Sequence, residues 1–426
     1  MIRRSPEIKT PTLRVLLGGK EYYGKTGPKA WEVTQTLTNL FDGFFVELDN
    51  QDGRNNDLLE KQNPHRWQPI TIQHVDPEVD NGRPRPFLMG VVTKLTQVTS
   101  DRETNLRLEG YDLGKLFDSM LPLDSKGRSA WYRIRGHTWQ QLLDRCIDDS
   151  WKAPAGPTIS GDVQWGLKGV RSGYLNRSVR VGRYGALQDY GKKYQEFMPP
   201  VQIEPGETVY DTLSRFARLT AYQPGTTGTG SFVRCSADGW VEIFNPDDNK
   251  DDPPLYTFEY HKDERNQRIK SGTILKDGEQ LYTDYQLYSS VLRLPYKPDS
   301  RDPNAGKFYE TSSQPGYLGV NRVWTGSDAE AYTRAYGAAR VDWKRRQALY
   351  SEVQLVYEVQ GNSWPGAGAL SGRMVPLCEG YVADVRDSRN RVNDKMLVES
   401  VTMRGYDQPQ GSSARITLRR LGLLGA

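Results

Sequence analysis

The chain of 426 residues is long enough for about three domains and a substantial core. Hydrophobic residues make up 36%, while 41 glycines, 25 prolines, 24 tyrosines and 10 tryptophans suit many short strands joined by turns and disfavour a bundle of long helices. With 57 basic against 53 acidic residues the formal net charge is +4 at pH 7, too weak a global field to argue nucleic-acid binding.

The first apolar run, Thr12 to Leu17, is followed by GKEYYGKT over residues 19–26, which fits the phosphate-loop pattern G-x-x-x-x-G-K-[ST]. A phosphate loop needs a helix that opens at its Lys-Thr step. Gly27-Pro28 denies it that helix, because the residue before proline is pushed out of helical geometry. The plainer reading is a hairpin, with Leu13 to Leu17 and Lys20 to Tyr23 as strands and Gly18-Gly19 as the tight turn. Strands then follow in series: FFVEL from Phe44, ITIQHV from Ile70, FLMGVVTKLTQV from Phe87, and NLRLEGY across a turn at Ser100 to Glu103. The intervening DPEVDNGRPRP, Asp76 to Pro86, reads as a loop, since its prolines lack a donor and its charges resist burial.

Helix signals are few. Thr138 opens TWQQLLDRCI with Gln141 at the capping-box position; Thr208 opens a second helix with Asp211 three residues on and the stripe Val209, Leu213, Phe216. A third is expected from Ser327, capped with Glu330, with Tyr332, Tyr336, Ala339 and Trp343 as its inner face and Lys344-Arg345-Arg346 complementing its C-terminal dipole. Pro/Gly-rich or polar breaks at 152–161, 223–231, 245–254 and 296–316 divide the middle into small α/β pieces. The end returns to strands with VQLVYEV, YVADV, MLVESVTM and ARITLRRL.

No chemistry-bearing constellation emerges. Cys146, Cys235 and Cys378 are odd in number and far apart, which fits neither a disulfide framework nor a zinc cluster and indicates synthesis in a reducing cytoplasm. His65, His74, His137 and His261 are dispersed and read as surface or strand-edge residues, and the acidic NPDDNKDDPP loop from Asn245 lacks the glycine and terminal glutamate of an EF-hand. Accordingly no catalytic, cofactor-binding, metal or partner-binding residue is named, no cofactor is expected and no enzyme activity is expected. The N-terminus has no signal-peptide core, and no stretch approaches the roughly 20 apolar residues of a membrane span, so a secreted or membrane-anchored protein is not expected.

Two long hairpins are alike in span: Phe87 to Asp112, and Lys395 to Gly422. Gly-Tyr-Asp recurs at 110–112 and 405–407, at non-equivalent places. The order of features, with the Gly-Gly hairpin, WEVTQTLTNLFDGFFVEL, RLEGYDLGKLFDSMLP, PGETVYDTLSRFARLTAY, the strand pair around DGWVEIF, LYTDYQLYSSV and the terminal hairpin, resembles the baseplate hub proteins of contractile phage tails, the Mu-like tail hub family. The likeness runs along nearly the whole chain; residues 174–197 and 362–380 do not match its pattern.

The resemblance implies a β-rich α+β protein with two related antiparallel β-barrel, tube-like domains at the ends, 1–113 and 265–426, the latter with a packed helix at about 327–347, and small α/β domains over 114–204 and 205–264. It implies a homotrimeric ring that adapts a threefold central spike to a sixfold tail tube. Further implied partners are a tube-initiator protein, wedge proteins and a tape-measure protein, with DNA passing through unspecifically, in a virion tail assembled in the bacterial cytoplasm. Two other readings stand beside it: the hub part of a secretion-system or extracellular injection spike, and a carbohydrate-binding or wall-degrading β protein, which would need paired carboxylates facing across a groove. The chain stops directly after its last hairpin, where spike proteins continue, which favours a stand-alone hub.

Overall fold

The computed structural model describes residues 12–17, 20–22, 27–38, 41–53, 55–61, 68–100, 103–119, 133–134, 169–172, 201–202, 206–218, 232–237, 239–244, 252–261, 268–289, 307–310, 322–328, 334–406 and 411–421. The expected hairpin opens the fold: β1 (Thr12–Leu17) and β2 (Lys20–Tyr22) run antiparallel with Leu17 opposite Lys20. Then come β3 (Ala30–Thr36), β4 (Gly43–Asp49), the short helix α1 (Asn56–Lys61), β5 (Gln68–Val75), β6 (Arg85–Thr99), β7 (Thr104–Asp112) and α2 (Gly114–Ser119). Alternation places every second side chain inward, as with Phe44, Val46 and Leu48 of β4. Arg85 and Pro86 belong to β6 rather than to the expected loop: Pro86 lies opposite Gln73 beside a bulge in β6 that leaves Phe87 without a partner in β5, where a missing N–H is tolerated.

The middle holds β8 (Arg133–Ile134), β9 (Gly169–Ser172), β10 (Val201–Gln202), α3 (Val209–Arg218), β11 (Phe232–Cys235) and β12 (Trp240–Phe244). At the start of α3, Thr208 Oγ1 accepts from the Asp211 N–H at 3.0 Å and Asp211 Oδ2 accepts from the Thr208 N–H at 3.1 Å, the reciprocal box expected from the sequence. Its apolar stripe buries Val209 and Leu213, and the helix packs on α2 and β11. The helix expected from Thr138 lies outside the described residues.

The last part comprises β13 (Tyr256–Tyr260), β14 (Ile269–Lys276), β15 (Asp284–Ser289), β16 (Lys307–Glu310), β17 (Val323–Asp328), α4 (Arg334–Glu352), β18 (Val353–Gln360), β19 (Ser363–Pro365), β20 (Met374–Pro376), β21 (Val382–Asp387), β22 (Val392–Tyr406) and β23 (Ser412–Arg420). Ser327 does not open a helix. It lies within β17, opposite Tyr288 of β15 in a parallel pair, so sheet pairing overrides the local capping pattern. Because α4 runs on to Glu352, Lys344-Arg345-Arg346 sits in mid-helix, and Arg345 and Arg346 both bond Asp342 instead of the helix end.

The large sheet repeats itself. Its order, β14-β18-β23-β22-β3-β4-β7-β6-β5-β1-β2, with β21 also on β22 and β13 on β21, contains the series β3-β4-β7-β6-β5 and the series β14-β18-β23-β22-β21. Both series follow chain order identically and every adjacent pair within them is antiparallel. The registers coincide: Gly43 to Asp49 lies against Tyr111 to Asn105, and Gln354 to Gln360 against Arg419 to Ser413. Each terminal hairpin joins a strand of 15 residues to one of 9, and each long strand is interrupted at the corresponding place, between Val92 and Lys94 and between Val398 and Ser400. A bulge adds local twist and bend, so its recurrence curves both halves alike. Gly110-Tyr111-Asp112 ends β7 and Gly405-Tyr406 ends β22, which are non-equivalent strands. Among the described residues the sheet does not close on itself; β14 and β2 end its main path and β13 ends the branch through β21.

Candidate functional site

The two halves are joined edge to edge. Ser400 to Tyr406 of β22 lies antiparallel to Thr36 to Ala30 of β3. On the core face Val401 and Met403 pack with Val33 and Trp31, so one apolar core runs through both halves. A Cβ on Gly405 would fall inside the Trp31 indole; the missing side chain lets the ring lie over the junction. On the outer face Arg404 Nε bonds Glu32 Oε2 at 2.6 Å and the hydroxyls of Thr34 and Thr402 meet at 3.1 Å.

Behind this seam lies a cavity of about 270 Å³ whose wall includes Gln35, Asp42, His74, Asp112, Cys235 and Glu379, drawn from both halves and from the middle segment. Asp42 precedes β4 and accepts from the Thr36 N–H at 2.8 Å; Asp112 ends β7, takes the Gly114 N–H on Oδ1 at 2.9 Å and gives its own N–H to the Asp42 carbonyl. Arg234 of β11 lies directly opposite Glu242 of β12 and bonds it at 3.2 Å, while its other arm reaches Glu379 before β21 at 2.7 Å. All three of these side chains are buried, Glu242 completely. Arg234 thus ties the middle segment to the second half, as α3 ties it to the first.

Electrostatics in this wall follow from burial. Asp112 is pushed up to about 8 by desolvation, which outweighs its backbone hydrogen bonds and Arg234. Asp42 is raised well above the usual carboxyl range, first by desolvation and then by Asp112 and Glu379. His74 is lowered to about 4 by desolvation, with Arg85 adding to the effect, so the ring is neutral at pH 7. It meets Trp31 edge-on at 5.9 Å and Phe87 at 5.2 Å. Burial raises the Cys235 thiol and brings Cys378 to about 12, which leaves both unreactive at pH 7.

No site residue was expected from the sequence, and His74, expected at a surface or strand edge, is instead in the interior. It sits in β5 with its Nε2 unpaired among the described residues. His65, His137, Cys146 and residues 245–251 of the acidic loop lie outside the described residues. Among the described residues no group of three or more His, Cys, Asp and Glu could hold a metal ion, and no helix is long and apolar enough to cross a membrane. What sequence reasoning missed is the Asp42, Asp112, Arg234, Glu242, Glu379 cluster. A signal existed: FVRC and WVEIF each carry one charge inside an apolar strand, and a hairpin pairs them. The arrangement is a lock between segments: Asp42 and Asp112 accept backbone N–H groups, and Glu242 and Glu379 accept from Arg234.

Neither a family profile nor a curated relative matches the chain. Solved structures do. A tail protein from Neisseria meningitidis MC58 superposes with a TM-score of 0.65 at 13% identity, over 97% of this chain and 98% of that one. The 43 kDa tail protein of prophage MuSo2 from Shewanella oneidensis gives 0.62 at 16% identity, over 97% and 99%. A Francisella PdpA–VgrG complex gives 0.50 at 10% identity, over 98% of this chain and 58% of the other. At such identities the likeness is one of fold, and it is end-to-end with the two tail proteins. The resemblance to phage tail hub proteins therefore holds at the level of the fold.

Proposed function

We propose that this chain is the structural hub of a contractile tail baseplate, a homotrimeric ring between a threefold spike and a sixfold tube. The observation that carries the reading is the strand series repeated within one chain in matching register. A chain that folds twice into the same sheet lets three copies present six similar lobes while threefold surfaces remain for a spike. The end-to-end likeness to two tail proteins supports it. In this reading each repeat belongs to a tube-like barrel domain, over 1–113 and 265–426, with small domains at 114–204 and 205–264 between. Wedge proteins surround the ring, a tube-initiator and tape-measure protein meet it, and it acts in the virion after assembly in the host cytoplasm. The role is structural and not enzymatic: the buried carboxylates serve a lock between segments rather than a groove.

DNA passes through the bore without specific contacts. A strongly basic lining would retain a polymer that carries a charge about every 1.7 Å, so the bore is neutral or acidic. A second reading, the hub part of a secretion-system spike, draws on the PdpA–VgrG likeness, which extends over 98% of this chain. The deciding experiment is native mass spectrometry of the purified protein, alone and mixed with a candidate spike protein. Three chains per particle and a complex with one spike trimer are expected, and a monomer under both conditions refutes the ring.

A further inference from the structure

Among the open sheet edges of the described residues are one stretch of β6 and the strand β14, and the repeat identifies what each of these two lacks. The long strand β22 is flanked on both sides along its C-terminal half, by β23 and by β3. Its equivalent, β6, pairs with β5 through Val92, and from Lys94 to Thr99 its described neighbour is β7 alone. The strand β3 lies between β4 and β22, whereas its equivalent β14 pairs with β18 and ends the sheet. The strand that β6 lacks is thus the equivalent of β3, and the strand that β14 lacks is the equivalent of β22. Within one chain these two edges are not paired with each other; a second copy can supply the partner for each.

We propose that the β6 edge of one copy pairs antiparallel with the β14 edge of the next, reproducing between chains the β22–β3 seam found within each chain. The register follows from superposing the repeats through their bulges: Ser400 corresponds to Lys94 and Arg404 to Val98, while Thr34 corresponds to Leu275 and Glu32 to Thr273. Carried across, the seam puts Lys94 opposite Asp277, Thr96 opposite Leu275 and Val98 opposite Thr273 on one face. On the other face Gln97 meets Ile274. Val98 and Leu275 are among the few large apolar side chains of the described residues left in water, 55% and 53% exposed, and this register makes them diagonal neighbours on one face. Lys94 brings a cation to Asp277. Leu95 and Ile274, half-buried beside the core, gain cover from the joining strand.

An open, apolar edge strand is a liability that proteins ordinarily block, and here the two edges are complementary. The contact is heterologous, so it closes into a ring or runs on as a filament according to the turn at each seam. The pairing rests on the ring reading only for the number of copies. It adds which edges meet and in what register.

The test is a disulfide trap in the full chain. T96C/L275C protein, mildly oxidised, should run on non-reducing gels as a covalent ladder ending at the closed oligomer. T96C and L275C chains mixed in equal amounts should stop at the dimer, and the offset pair T96C/S271C should link at least about tenfold more slowly, since diagonal or more distant strand positions lie beyond disulfide reach. A dimer from T96C alone would mean that like edges meet and would overturn the proposal. Native mass is read on the same samples: a trimer that does not cross-link overturns the edge pairing and leaves the ring standing, whereas a monomer that does not cross-link overturns both. V98D and L275D should weaken assembly at least about tenfold without lowering the melting temperature of the separated chain, because both positions are exposed in it. Unchanged assembly in V98D contradicts the proposal.

Discussion

Replacing Arg234 by methionine keeps much of the side-chain volume and removes the cation that Glu242 and Glu379 share. The side-chain exposures, 8% for Arg234, 0% for Glu242 and 4% for Glu379, leave little solvent to screen the loss. Breaking such a buried pair from one side costs about 3–5 kcal/mol, because the desolvated carboxylates remain. Arg234 also holds down the raised carboxyls of Asp42 and Asp112. The sign of the pH effect follows: Asp112 is protonated in the folded chain up to about pH 8, and without Arg234 that limit rises, so extra stability is lost as the pH climbs beyond about 8. Urea titrations of R234M and the parent at pH 6 and pH 9, followed by tryptophan fluorescence, should show a deficit of about 3–5 kcal/mol at pH 6 that widens at pH 9. Adding E379Q should recover part of it. A deficit under about 1 kcal/mol at both pH values would refute the lock.

Other outcomes follow from the same geometry. D112N should keep the acceptor for the Gly114 N–H and remove the titration: between about pH 4 and 8 the parent loses stability relative to the variant, by up to about 1.4 kcal/mol per pH unit, which melting temperatures across that range would detect; a parallel pair of profiles would contradict it. H74Q should relieve the acid-side loss that a ring lowered to about 4 imposes between about pH 6.5 and 4, seen as a smaller drop of melting temperature on acidification. G405A should cost about 1–3 kcal/mol in urea, since its methyl group displaces the buried Trp31 indole, with a change in tryptophan emission as the second readout. A double-mutant cycle of E32Q and R404M should return about 0.2–1 kcal/mol, small because both side chains are about one-third exposed.

Much of the fold was legible because alternation is a local signal. LRVLL, FFVEL, ITIQHV and VQLVYEV each turn one face to the core, and the Gly-Gly hairpin and the Thr208 box are complete within a few residues. The similarity of the two terminal hairpins was readable too, though sequence gave their span and not their shared register. The capping pattern at Ser327 misled because the choice between helix and strand there is made by β15, distant in sequence. The charge lock was hidden for the same reason: Asp42, Arg234 and Glu379 come from separate parts of the chain, and nothing local links them. His74 looked like one more half-polar strand residue, and only the packing of Trp31 and Phe87 around it fixes it inside.

The central claim is that one chain contributes two like lobes to a closed collar, and images of the assembled particle viewed down its axis test it most directly. Class averages from electron microscopy should show a central hole surrounded by six lobes that alternate in detail with threefold symmetry. Particles without a hole, or rings whose lobe count is not twice the number of chains, would contradict it.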